Sequence, residues 1–354
     1  MPDLAAWLTH AVSIGASDLH LVPGYRPTVR LHGDLQPLDA PELDAGTLHE
    51  ALLTICPRPS QAALQARKNA DFAVELELNG RSRRFRANYF FAGGHLAGCF
   101  RVILDAIPDF QWTGFPRDLA ERLAHLRHGL VLITGITGSG KTTTLATIVN
   151  LLNQESGYRI ITVEEPVEYQ FPHNTGSVVT QREVGQDVLT FADGLKYGLR
   201  QDPDVILVGE IRDRDTAQMA LSAAETGHLV FSTLHTRDAA GAISRYFDLF
   251  PQDIQGEIRS QLSLSLRAVI SQHLVPSIEP GAKRELALEI LINTPAIASG
   301  IRFGRLETLE RNILTGGAEG MRTLDESIRR LFKAGRINRE TAERYVSDPQ
   351  YLLR

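Results

Sequence analysis

The sequence predicts an α/β fold in two parts, and three observations carry that expectation. Residues 135–142 read Gly-Ile-Thr-Gly-Ser-Gly-Lys-Thr, the G-x-x-x-x-G-K-[ST] pattern of a phosphate-binding loop. From about Leu119 apolar runs alternate with helical periodicity, which implies a parallel sheet with helices on both faces. The first hundred residues show period-two alternation around tight turns instead, the pattern of a small α+β domain. We therefore expect a first domain over residues 1–106, a linker over 107–117 and a P-loop domain over 118–354.

Each element has a local reason. Leu4, Leu8, Ala11 and Val12 recur at helical spacing and open the chain with an amphipathic helix. Residues 18–22 and 28–32 alternate, with Pro23-Gly24 turning between them. Residues 48–53 and 60–68 read as helices separated by Pro57 and Pro59. Residues 72–78 and 83–89 alternate around Asn79-Gly80, a strong hairpin signal. Residues 99–104 form a further strand, and Pro108, Gly114 and Pro116 mark a linker. In the second part, strands are expected at 130–134, 159–163, 205–208 and 229–232, and the chain beyond about Pro251 is expected to be mostly helical.

Composition narrows the function. At 354 residues, 43% hydrophobic and 22% charged, the chain has the make-up of a soluble two- or three-domain protein. A net charge of −5 gives no electrostatic reason to expect a nucleic-acid partner. Cys56 and Cys99 make neither a disulfide framework nor a zinc cluster. No apolar run is long enough to cross a bilayer, so no integral membrane segment is expected. The opening Met-Pro-Asp-Leu-Ala has no basic segment or cleavage site, so the expected location is cytoplasmic.

The chemistry starts at the loop. Leu130-Val131-Leu132-Ile133 precedes it as a buried strand, and Leu145, Ile148, Val149 and Leu152 share one face of the helix after it. The four fixed positions recur by chance in about one chain of this size in a hundred, and the strand-loop-helix context lowers that further. Glycines let the backbone N–H groups turn inward toward phosphate oxygens, so Gly135, Thr137, Gly138, Ser139, Gly140, Lys141, Thr142 and Thr143 are the expected nucleotide contacts. Lys141 is expected to reach the β- and γ-phosphates and Thr142 to hold Mg²⁺.

Three further stretches carry acids or histidines at strand ends. Asp204-Val205-Ile206-Leu207-Val208-Gly209-Glu210 is an apolar strand ending in an acid, a Walker B arrangement that places Glu210 near the Mg²⁺ shell; its alternative is a solvated acid after a strand. Glu164-Glu165-Pro166-Val167-Glu168 also follows a strand, and adjacent acids there require either exposure or a cation. The stretch 226–236 places His228 and His235 around one strand, with His235 at its carboxyl end where a γ-phosphate sensor belongs. A structural histidine is the alternative for both, and no nearby Cys completes a zinc site.

In this order, these motifs resemble the secretion-superfamily ATPases, the hexameric motors of type IV pili and type II secretion. Ala16-Ser17-Asp18-Leu19-His20-Leu21 is similar to the opening signature of that family's PAS-like N-terminal domain, and the resemblance runs over nearly the whole chain. It implies a PAS-like α+β domain, a RecA-like P-loop ATPase domain with a helical C-terminal region, and ATP with Mg²⁺. It implies that Glu164 activates water, that Glu210 serves the Mg²⁺ shell, and that His235 faces the γ-phosphate with His228 as its upstream partner. It implies that Arg86 and Arg101 reach ATP from the N-terminal domain, although outward strand residues would look the same. It further implies a homo-hexamer under an inner-membrane platform protein, peripheral to the membrane at the base of a pilus machine.

Within the family the short N-terminal domain and the missing tetracysteine module resemble the pilus-retraction branch. Residues 296–305, Ala-Ile-Ala-Ser-Gly-Ile-Arg-Phe-Gly-Arg, partly match the retraction motif Ala-Ile-Arg-Asn-Leu-Ile-Arg-Glu-Gly-Lys, with Ser299-Gly300 and Phe303 departing from it. The alternatives are an accessory retraction motor, an extension or secretion ATPase, and a nucleotide-gated regulatory module. ATP turnover separates the last from the rest.

Overall fold

Two compact units divide the chain: residues 1–106 with 165–170 and 183–187, and residues 107–164, 171–182 and 188–354. The computed structural model describes residues 4–353 apart from 32, 104–105, 156, 174–175 and 280, with the backbone alone at Leu353. His32 and Leu104, each at the end of an expected strand, lie outside the described residues.

The first unit runs α1 (Leu4–Ser13), β1 (Asp18–Leu21), β2 (Thr28–Leu31), β3 (Asp34–Pro37), α2 (Ala45–Ile55), α3 (Arg58–Arg67), β4 (Asn69–Leu78), β5 (Arg81–Ala92) and β6 (His95–Val102). The six strands form one antiparallel sheet in the order β3-β2-β1-β6-β5-β4. Asn79 and Gly80 both take positive φ, 52° and 73°, which the two-residue turn between twisted strands requires. Phe85, Tyr89 and Phe100 are fully buried among Leu19, Leu48 and Leu52. Pro59 does not interrupt a helix; it sits in the first turn of α3, where its missing N–H costs nothing. Strand β3 is absent from the sequence reading because all four of its residues are exposed, so no alternation marks it.

The second unit begins with α4 (Phe110–Thr113) and α5 (Arg117–Ala124). The expected linker thus contains a turn of helix: Asp109 accepts from Trp112 N at 2.6 Å and Gly114, at φ 75°, closes it, so one of the punctuating residues is its C-cap. There follow β7 (Gly129–Thr134), α6 (Lys141–Glu155), β8 (Arg159–Glu164), β9 (Val178–Glu183), α7 (Phe191–Gly198), β10 (Val205–Val208), α8 (Arg214–Glu225), β11 (Leu229–Leu234), α9 (Ala239–Asp248) and α10 (Gln255–Ser265). Then come β12 (Leu266–Val275), β13 (Glu285–Ile292), α11 (Pro295–Arg302), α12 (Glu307–Thr315), α13 (Leu324–Lys333) and α14 (Arg339–Tyr345).

The sheet order is β13-β12-β7-β11-β10-β8-β9. Strands β12, β7, β11, β10 and β8 run parallel, and β13 returns antiparallel at the edge. Strands β12 and β13 correct the expectation of a mostly helical region beyond Pro251. β12 is buried on both faces over most of its length, so it lacks alternation, and α10 runs into it with no turn residue between Ser265 and Leu266.

Candidate active site

Four adjacent parallel strands end at one edge of this sheet, and each ends in one of the chemical motifs. In spatial order, β8 ends in Glu164, β10 is followed by Gly209-Glu210, β11 by His235, and β7 by the phosphate-binding loop. Register aligns the ends: Val163 pairs with Val208, Val208 with Ser232, and Leu234 with Thr134. Segments about 25 to 100 residues apart in sequence meet because every crossover returns the chain to the same end of the sheet.

The loop is built for phosphate. Gly135, Gly138 and Gly140 have φ of 148°, 77° and 86°, which side-chain-bearing residues rarely adopt. A Cβ on Gly135 would come within 2.5 Å of both Gln272 O and Ser139 Oγ. Helix α6 starts at Lys141, so the amides of its first turn lie at the end of the helix that faces the loop. Ser139 Oγ is buried without a hydrogen-bond partner. Lys141 Nζ is buried too, donating to Gly135 O at 2.8 Å and Ile136 O at 3.1 Å. Burial pushes its ammonium below the ordinary lysine range, against the pull of the Glu210 carboxylate. A buried cation served by neutral carbonyls, a buried hydroxyl without a partner and a row of amides at a helix start together fit a polyphosphate.

Thr142 is exposed at the start of α6. Mg²⁺ in nucleotide sites is held by one or two protein groups and the phosphates themselves, and Thr142 with Glu210 is a pair of that kind. Glu210 is largely buried and accepts from His235 Nε2 at 2.9 Å and from the Arg212 guanidinium. Burial works against its charge, but Arg212 and His235 outweigh it and hold the carboxyl below the usual range. Glu164 is buried, so of exposure and a cation, exposure does not account for that acid. Its Oε1 accepts from Thr162 Oγ1 at 2.6 Å and Gln181 Nε2 at 3.2 Å, which orients the carboxylate.

The fold does not bring every expected residue to this edge. His228 precedes β11, whereas His235 follows it, so six strand residues, about 20 Å, separate the two histidines. His228 instead hydrogen-bonds through Nδ1 to Ala223 O at 3.1 Å and Thr226 Oγ1 at 3.4 Å, closing the end of α8. Within one chain His228 thus lies at the opposite end of β11 from His235. Arg86 and Arg101 belong to the first unit, where they face each other across β5 and β6. Arg101 Nε binds Asp18 Oδ1 at 2.9 Å, and Arg86 lies 3.7 Å from Asp71 and 3.8 Å from Glu168.

Three side chains at the site were not legible beforehand. Arg212 grips Glu210, and only its position two residues beyond that acid hinted at a role. Gln272 on β12 donates to Ser139 O at 2.5 Å, and Arg284 Nη2 donates to Gly138 O at 3.1 Å. With Trp112, Leu274 and Leu286 these line a cavity of about 170 Å³ against the loop. No sequence pattern ties a strand more than 130 residues away to the loop.

A family model described as Type II/IV secretion system protein matches residues 1–302. The Type IV pilus retractation ATPase PilT of Pseudomonas aeruginosa is 40% identical over 349 residues, 98% of this chain and 99% of its own. A twitching motility protein of Neisseria gonorrhoeae is 40% identical over 325 residues, 92% of this chain and 85% of its own. Among solved structures, the pilus retraction motor PilT with bound ADP matches with a TM-score of 0.85 and 40% identity, across 100% of this chain and 99% of that one.

Proposed function

The chain belongs to the Type II/IV secretion system protein family, and on that premise we propose that it is an ATP-hydrolysing motor that retracts type IV pili. The observation that carries the chemistry is the single sheet edge at which Glu164, Glu210, His235 and Lys141 converge. Phosphoryl transfer asks little covalent chemistry of a protein; it asks for positioning and for charge where charge develops.

The loop amides and Lys141 hold the β- and γ-phosphates. Thr142 and Glu210 would hold Mg²⁺, which would supply charge neutralisation when bound. Glu164, oriented by Thr162 and Gln181, takes the proton of the attacking water. His235, tied to Glu210, senses the terminal phosphate. Arg86 and Arg101 are proposed to bring the first unit's positive charge to the nucleotide, releasing their carboxylate partners to do so.

No helix among the described residues is long and apolar enough to cross a membrane. We propose that force passes to a membrane-embedded partner, the inner-membrane platform protein at the base of the pilus. Helix α11 carries the segment resembling the retraction motif, and its partial match supports retraction over extension or secretion. It buries Ile297 and Ile301 and leaves Arg302 and Phe303 outward, with Arg302 Nε bound to Ser263 Oγ at 3.3 Å. Gly300 lets α12 approach, since a Cβ there would meet Thr308 Oγ1 at 3.0 Å.

The motor reading requires a ring, because arginines delivered from a separate unit act best when neighbouring copies brace one another. The purified chain is expected to assemble into hexamers, favoured by a non-hydrolysable ATP analogue, in light scattering run beside an ATPase assay. A monomer at full specific activity is incompatible with this mechanism.

A further inference from the structure

The loop carrying His235 joins β11 to α9 through residues 235–238, and its hydrogen bonds hold it at several points. Thr236 N donates to Thr134 Oγ1 at 3.1 Å, and the two threonine hydroxyls are 2.6 Å apart. Arg237 O accepts from Ser271 Oγ at 2.7 Å and from His273 Nε2 at 2.9 Å, both on β12. Asp238 caps α9 by accepting from Gly241 N at 2.6 Å. The first amide of the helix, Ala239 N, donates instead to Glu289 Oε1 at 2.7 Å.

Glu289 lies on β13 directly opposite Ser271, so the two side chains share one face of the sheet, beneath this loop. It has no part in the phosphate or water chemistry described above. A carboxylate at a helix N-terminus is stabilised by the unpaired amides there, and in return it anchors that end. The loop is short, so fixing Ala239 limits where His235 can point.

We propose that Glu289 is a positioning residue for ATP hydrolysis, whose carboxylate fixes the start of α9 and thereby the loop that aims His235 at Glu210. The proposal rests on the reading of His235 as the terminal-phosphate sensor.

The surroundings make this anchor responsive to pH. Burial pushes the Glu289 carboxyl up to about 7; the Ala239 amide opposes the rise, and Asp238, Glu310 and Asp325 add to it. These acids face it from the starts of α9 and α13 and from α12, while β12 contributes His273 beside the same loop. Above about 7 the group is an anion and grips the amide strongly; below, it is a neutral acid and a weaker acceptor.

The test is steady-state hydrolysis by the full chain at saturating Mg²⁺-ATP across this pH range, with melting curves on the same samples. Wild-type kcat is expected to climb as pH rises through about 7. Glu289→Ala should lower kcat roughly tenfold to a hundredfold with little change in KM, the signature of misplaced rather than missing binding groups. Glu289→Gln keeps an acceptor oxygen but cannot ionise. It should recover part of that loss and flatten the limb near 7.

Stability supplies an independent readout. Because the folded carboxyl titrates above its ordinary range, folding favours the protonated form. Wild type should therefore lose melting temperature relative to Glu289→Gln as pH rises from the ordinary carboxylate range through about 7.

A Glu289→Gln profile that superimposes on wild type, or a folded Glu289→Ala with wild-type kcat, overturns the proposal. His235→Ala separates the two readings. If His235→Ala abolishes turnover while the Glu289 variants match wild type, only this inference falls. Undiminished turnover in His235→Ala removes the sensor reading and this inference with it.

Discussion

Lys141→Ala is expected to reduce ATP hydrolysis by about a hundredfold to a thousandfold, the scale of removing one preorganised charge from a transition state. Lys141 Nζ is buried against the neutral Gly135 O and Ile136 O. A desolvated ammonium whose hydrogen bonds go to neutral carbonyls is costly to keep even with Glu210 nearby, so evolution of a stable fold alone gives no reason to retain it. Charge accumulating on the transferring phosphoryl group does give one. Removing the cation should therefore leave the fold intact, with a melting temperature within a few degrees of wild type. ATPase assays and thermal melts on the same preparation check both halves. Wild-type turnover in the variant is incompatible with the loop's role.

Glu164→Gln should bind ATP but hydrolyse it about a hundredfold to ten-thousandfold more slowly, the usual range for loss of a general base. The replacement is nearly isosteric, and the amide oxygen can still accept from Thr162 Oγ1 and Gln181 Nε2, which both donate to Oε1 of the native acid. What is lost is the basic oxygen. Glu210 sits one strand away with Arg212 and His235 as partners, an environment that keeps it ionised and suited to a cation's shell rather than to proton transfer. Glu210→Gln should accordingly change the Mg²⁺ dependence of the rate. Equal and near-normal rates in both variants contradict this division of labour.

These residues were legible in the sequence where backbone geometry or strand ends write themselves into residue choice. Gly135, Gly138 and Gly140 are required by positive φ, and Asn79-Gly80 by a two-residue hairpin. The acids after β8 and β10 could be read because an apolar run that stops at a carboxylate marks a strand end. Burial on both faces hid β12, and full exposure hid β3. Gln272, Arg284 and Glu289 were invisible as site residues because their relevance comes from strand order, which sets β12 beside β7 and β13 beside β12 only after the crossovers are made. His228 shows the converse: two histidines close in sequence are separated by the full length of a strand.

Real-time imaging of fluorescently labelled pili tests the central claim most directly, in cells whose own copy of this chain is replaced by Lys141→Ala. The account predicts abundant pili that extend and do not shorten, with twitching lost. Cells that instead lose their pili would show that the motor extends or secretes, and would contradict the assignment to retraction.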